Sequence, residues 1–143
     1  MADKLIKINV VSPEGSVYAG DAKLVVLRGA EGELGISAGH TQLLTSVAPG
    51  PLRIVLADDK EDILFVAGGI LEVQPEQIII LADVAERGMD LNEAAAEETK
   101  QKAEKLLKDS SLDKVSVSEA QMMLIEAEAR LRVLKMIKGG FAK

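Results

Sequence analysis

Along the first half of the chain, apolar residues fall into short blocks, either alternating with polar ones or in unbroken β-branched runs. The blocks are KLIKINVV (4–11), KLVVLR (23–28), QLLTSVA (42–48), LRIVLA (52–57), EDILFVA (61–67), ILEV (70–73) and QIIILA (77–82). Between them stand Ser12-Pro13-Glu14-Gly15, Pro49-Gly50-Pro51, Asp58-Asp59-Lys60, Gly68-Gly69 and Gln74-Pro75-Glu76. Such residues make turns through a positive φ, a preset φ or side-chain bonds to the backbone. Strands this short, spaced this regularly, predict an antiparallel sandwich or barrel. Pro49, Pro51 and Pro75 fall at strand ends, where a missing N–H does no harm.

Beyond Arg87 the pattern changes to a helical one. Asp90 and Glu93 have the spacing of a capping box. LNEAAAEETKQKAEKLLK then runs without Gly or Pro, placing Ala96, Thr99, Ala103 and Leu106 on one face. Lys108 to Val117 reads as a polar connector. Ser118 and Gln121 repeat the capping pattern and open a predicted helix of about twenty residues, ending at Lys138 before Gly139-Gly140. Its stripe is Ala120, Leu124, Ala127, Leu131 and Leu134. The predicted fold class is therefore α+β: an N-terminal antiparallel β-sandwich over residues 1–87, then a C-terminal antiparallel two-helix hairpin over residues 88–143. The first helix offers mostly small side chains. At ~25 cal/mol per Å² of buried apolar surface such a face gives a weak interface, so the hairpin is expected to open more readily than the sandwich unfolds.

Composition narrows the function. Hydrophobic residues at 48% and charged residues at 28% of 143 describe a globular chain with one real core. Aromatic residues are only 2% (Tyr18, Phe65, Phe141) and the net charge is −6. Stacking platforms and a basic surface are both missing, which argues against nucleic acid as a partner. With no cysteine there is no disulfide, thiolate metal site or thiol nucleophile. The N-terminal MADKLIKINV alternates too early for a signal-peptide core, and no uncharged run approaches the ~18–20 residues of a membrane span. Charge is uneven: residues 1–89 hold 13 acidic and 7 basic side chains, residues 90–143 hold 10 of each.

The stretch GAEGELGISAGH (29–40) crowds four glycines, two glutamates and the chain's lone histidine together. It lacks the Lys-Ser/Thr of a phosphate loop, and Glu31 and Glu33 would repel an anion. Two readings stay open: a tight connection with positive φ at several glycines, or a stiff acidic loop that docks on another protein. His40 has no second His or Cys with which to hold a metal, and Thr41 and Thr45 neighbour it only in sequence, so a structural or interface role is expected. The carboxylates at Asp58-Asp59 and Glu61-Asp62 read as a solvated turn. No catalytic residue, cofactor site or metal site is predicted. From Arg130 to Lys143 there are five basic residues and no acidic one; part of this complements a helix C-terminus, and part makes a basic face for an acidic partner.

Three stretches, GAEGELGISAGHTQLLTSVAPG (29–50), GGILEVQP (68–75) and LADVAERGMDLNEA (81–94), together with the order of sandwich and hairpin, resemble the epsilon subunits of bacterial F-type ATP synthases along the whole chain. The resemblance implies a two-sheet sandwich followed by two helices, in a non-catalytic subunit of the rotating central stalk that couples proton flow to ATP synthesis. It implies the gamma subunit, the membrane c-ring and the alpha/beta catalytic head as partners, and a peripheral place on the cytoplasmic face of the bacterial plasma membrane without direct insertion. Glu31, Gly32, Glu33, Gly39 and His40 would then face the ring or gamma. The hairpin would be the regulator, with Arg130, Arg132, Lys135 and Lys138 reaching the catalytic head to inhibit ATP hydrolysis. Some members of that family bind ATP through Leu/Ile-Asp-x-x-Arg-Ala at the first helix. The matching positions here include Leu91, Asn92, Ala95 and Ala96; the acid and the arginine are gone, so weak or no ATP binding is expected. The alternatives are a free-standing β-sandwich ligand-binding module, which the scarcity of aromatics disfavours, and a small hydrolase, which has no nucleophile–base set.

Overall fold

The computed structural model describes residues 4–139. In chain order it contains strands β1 (Ile6–Ser12), β2 (Gly15–Ala22), β3 (Leu24–Gly29), β4 (Gly32–Ile36), β5 (Leu43–Ser46), β6 (Gly50–Val55), β7 (Glu61–Val73) and β8 (Gln77–Arg87). A 3-10 turn at Gly88–Asp90 leads to helices α1 (Glu93–Leu107) and α2 (Lys114–Gly139). The second glycine of the expected helix stop, Gly140, lies outside the described residues, as do Phe141 and Lys143.

Strands hydrogen-bond in the order β2-β1-β8-β7-β6-β3-β4, with β5 joining β7. All pairs are antiparallel except β1 with β8. The two long strands make both layers. The first half of β7 (Glu61–Val66) pairs with β6, and its last four residues (Ile70–Val73) pair with β5. Between them Gly68 (φ 72°) and Gly69 (φ 102°) bend the strand. A Cβ on Gly69 would press on the Leu81 carbonyl and lie 2.8 Å from Ala82 Cα, so only glycine fits. Gly68-Gly69 is thus a bend within one strand of 13 residues, where the sequence pattern suggested a break between two.

Alternate residues of both layers fill a single core that includes Ile6, Ile8 and Val10 of β1, Leu64 and Val66 of β7, and Ile78 and Ile80 of β8. β7 has in addition an unbroken buried run from Ile63 to Ala67. Its even positions face the sandwich core, and its odd positions, Ile63, Phe65 and Ala67, lie under Ala129 and Val133 of α2. A strand covered on both faces loses the polar half of its alternation.

Four features differ from the sequence reading. GSVYAGDA is a full strand, β2, invisible to hydropathy because only Tyr18 and Ala22 of it are buried. GELGI is a strand as well, not part of a loop. Asn92, not Asp90, caps α1, accepting a 3.0 Å bond from the Ala95 N–H. Helix α2 starts at Lys114, four residues before Ser118, because the Asp113 carboxylate accepts a 2.7 Å bond from the Ser116 N–H.

Candidate functional site

The glycine stretch forms the outer rim of the sandwich. β3 and β4 make a hairpin in which Gly29 pairs with Gly32 across the turn residues Ala30 and Glu31. The glycines serve different ends. Gly32 (φ 124°) and Gly39 (φ 88°) take conformations that side chains resist, whereas Gly29 is needed for space. A Cβ there would come 3.1 Å from Leu34 Cδ1 and 3.2 Å from Thr45 Cγ2. Glu31 and Glu33 are exposed, and among the described residues neither joins an ion pair. Glu33 lies across the strand pair from Arg28 and near Arg53, whose guanidinium is held protonated chiefly by its 2.8 Å bond to Glu61.

Gly39 and His40 stand at the other end of β4, roughly 15 Å along a five-residue strand at about 3.3 Å per residue. The Gly39 N–H donates to Pro75 O at 2.8 Å, and the His40 backbone N–H to Ser37 O at 3.2 Å. His40 Nδ1 lies 2.7 Å from its neighbour's backbone oxygen, Thr41 O, not from a hydroxyl. The five residues expected to face the ring or gamma therefore do not converge on a point; they lie in two clusters at the two ends of the edge strand β4. No group of three or more potential metal ligands occurs among the described residues.

The second candidate region is the seam between hairpin and sandwich, and it divides the four predicted basic residues in two. The Arg130 Nε–H donates to Glu86 Oε1 at 2.7 Å, and the guanidinium lies 4.3 Å over the centre of the Phe65 ring. Glu126, one turn earlier, adds a longer contact at 3.9 Å. Lys138 donates to Glu93 at the start of α1 at 2.7 Å. Arg132 and Lys135 are exposed. Two of the four are thus exposed with no ion pair among the described residues, and two pair within the chain.

Beside the seam, the Tyr18 hydroxyl donates to Asp62 at 2.9 Å while Arg87 stacks over its ring. Burial first, then the bond to Asp62, pushes the Tyr18 phenol up to about 12, so it remains a donor across neutral pH. The positions matching the ATP motif are occupied structurally: Leu91 packs into the seam, the Asn92 side chain caps α1, Ala95 is exposed and Ala96 is buried.

Phe65, Glu86 and the stripe Ala129, Val133, Met136 escaped the sequence reading. The stripe was legible, since i, i+4 and i+7 share a helix face. The pairing of Glu86 with Arg130, 44 residues apart, was not.

The outer face of the other layer exposes three large apolar side chains, with the exposed Glu72 among them. Leu44 is 69% exposed, Leu81 54% and Ile70 49%. Ile70 and Leu81 are direct cross-strand partners, and Leu44 lies in the adjacent strand β5.

Residues 5–88 match the β-sandwich domain of the ATP synthase delta/epsilon chain, and residues 89–135 match that chain's long α-helix domain. The chain belongs to this family. It is 43% identical over 139 residues to the ATP synthase epsilon chain of Francisella philomiragia subsp. philomiragia, covering 97% of this chain and 95% of the relative. The epsilon chain of Francisella tularensis subsp. tularensis is 42% identical with the same coverage. Among solved structures, a chain of the mitochondrial ATP synthase of Euglena gracilis shares the fold with a TM-score of 0.80 at 20% identity, over 91% of this chain and 81% of that one.

Proposed function

We propose that the chain is a non-catalytic subunit in the central stalk of a proton-driven ATP synthase, docked by its sandwich and regulated by its hairpin. The observation that carries this reading is the inequality of the sandwich's two outer faces. One is covered by α2, while the other exposes Ile70 and Leu81 opposite one another and Leu44 diagonal to Ile70, beside Glu72. Exposed contiguous apolar surface marks a docking face, and we assign it to the gamma subunit. The rim from Glu31 to His40 is assigned to the membrane ring, where the exposed Glu31 and Glu33 would pair with basic groups. A sandwich with one continuous core transmits torque without yielding. The complex would place the chain at the cytoplasmic face of the membrane, held by its partners; no described helix is long and apolar enough to cross.

The hairpin is the brake on ATP hydrolysis. Its exposed Arg132 and Lys135, joined on extension by Arg130 and Lys138, would engage an acidic surface of the catalytic head. With the acid and arginine of the ATP motif absent, the isolated chain needs no nucleotide to hold its compact form. A free-standing ligand-binding module gains no support, since Tyr18 is bound to Asp62 and Phe65 lies beneath Arg130.

The test is ATP hydrolysis by the gamma-containing catalytic head, with the full chain and with a version ending at Arg87. The large core cluster reaches no further than Ala85, so the short version should fold. Inhibition by the full chain, with binding but no inhibition by the short one, is the expected result. Binding of both without inhibition removes the brake; failure of both to bind removes the stalk assignment.

A further inference from the structure

We infer that Arg130 is the latch of the compact form, a single side chain whose pairing with Glu86 and Phe65 decides whether the hairpin lies on the sandwich. This inference rests on the proposed function only for its consequence at the catalytic head. Its physical basis is the seam itself. Five residues are buried there, Ile63, Phe65 and Ala67 on the strand side and Ala129 and Val133 on the helix side, with Val84, Leu91 and Met136 only partly buried around them. Three of those five are Ala or Val, so area burial alone holds the helix weakly.

Two ion pairs tie the second half of α2 to other elements, and they are unequal. In the Lys138–Glu93 pair the side chains are 63% and 52% exposed; solvent and salt leave such a pair almost nothing. It also joins α2 to α1, so it moves with the hairpin. In the Arg130–Glu86 pair the side chains are 26% and 39% exposed, and this pair does span the seam. The same guanidinium covers the Phe65 ring, which is fully buried. A charge-assisted bond and a cation–π contact then act through one residue. Lifting the helix breaks both together and bares the largest fully buried side chain among the described residues.

Exclusivity follows. A guanidinium held on Glu86 and over Phe65, its side chain only 26% exposed, is fixed at the seam and cannot at the same time reach a carboxylate of another subunit beyond it. The compact form therefore withholds a basic group that the extended form offers, and the choice between them is competition for one side chain.

The chain has no cysteine, so spin labels can be attached uniquely at E76C in the exposed β7–β8 turn and S110C in the exposed connector. Distances between them in the full chain report opening directly. Wild type should show one compact population. R130A and E86Q should each raise the open-to-compact ratio by about tenfold, the loss expected for a partly shielded charge-assisted bond. R130K keeps the charge but loses the planar stack and should fall between. K138A should leave the distribution unchanged. Denaturant unfolding of the sandwich serves as a fold control, and if R130A does not fold, E86Q decides alone. No opening in E86Q or R130A overturns the latch, as does opening by K138A as large as that by R130A. Hydrolysis by the catalytic head separates the two ideas. E86Q opens the hairpin and frees Arg130, so it should inhibit more than wild type, whereas R130A opens without that gain. Opening with no change in inhibition keeps the latch and removes the brake reading.

Discussion

Gly69 shows how a single residue can decide the architecture. Its φ is 102°, and a side chain there would press on the Leu81 carbonyl and stand 2.8 Å from Ala82 Cα, which leaves no room for even a methyl group. The bend it permits lets β7 pair with β6 before it and β5 after it. Gly69→Ala should therefore cost at least about 3 kcal/mol of unfolding free energy, the range reached when backbone strain and a backbone clash coincide. Denaturant unfolding checks it; a loss under about 1 kcal/mol would show that the strand bends without it. By contrast Gly32 has a positive φ but open space around it, so substitution there meets strain without a clash.

Helix starts matter at the scale of elements. Both are set by short polar side chains one residue before the first turn, Asn92 for α1 and Asp113 for α2. Hydrogen bonds from the Ser116 backbone and side chain hold the Asp113 carboxyl below its ordinary value of 3.8. A carboxyl depressed in the folded chain contributes stability above its unfolded value and loses it as pH falls through the folded one. Asp109 is depressed in the same way by Ser111. The connector and first turn of α2 should thus loosen in acid below that ordinary value, and D113N should weaken this pH dependence. Hydrogen exchange at the Ser116 and Val117 amides across pH measures it; an identical acid response in wild type and D113N would remove the cap as its cause.

For the whole molecule, the arrangement of faces matters more than any one contact. The sandwich has one outer face under α2, one outer face exposing Leu44, Ile70 and Leu81, and a rim bearing exposed carboxylates. Replacing Leu44, Ile70 and Leu81 together by Ser should leave the unfolding midpoint nearly unchanged, because half or more of each side chain's surface, near enough, already meets solvent. The same variant should lose about tenfold or more in affinity for the gamma subunit, as removal of a central apolar patch does. Co-purification with gamma tests this. Full retention would mean that this face is not the docking face.

Strand periodicity, turn residues and the change to a helical pattern after Arg87 were legible in the sequence, because each is a local property of neighbouring residues. So was the small-residue seam between the helices, at Ala96, Ala103, Ala120 and Ala127, all of which are buried. β2 and β4 were hidden because Gly, Ser and Glu on an exposed edge carry no hydrophobic signal. The five residues expected to face the ring or gamma came from the family resemblance alone, and their distribution along a strand was hidden, since proximity in sequence does not separate a loop from a hairpin. Only tertiary structure decided that Ile63, Phe65 and Ala67 face a helix while Leu64 and Val66 face a core. The same packing made Arg130 a partner of Glu86 and Phe65 and left Arg132 and Lys135 outside. A basic helix face looks uniform in one dimension; the surface it lies on is what tells its charges apart.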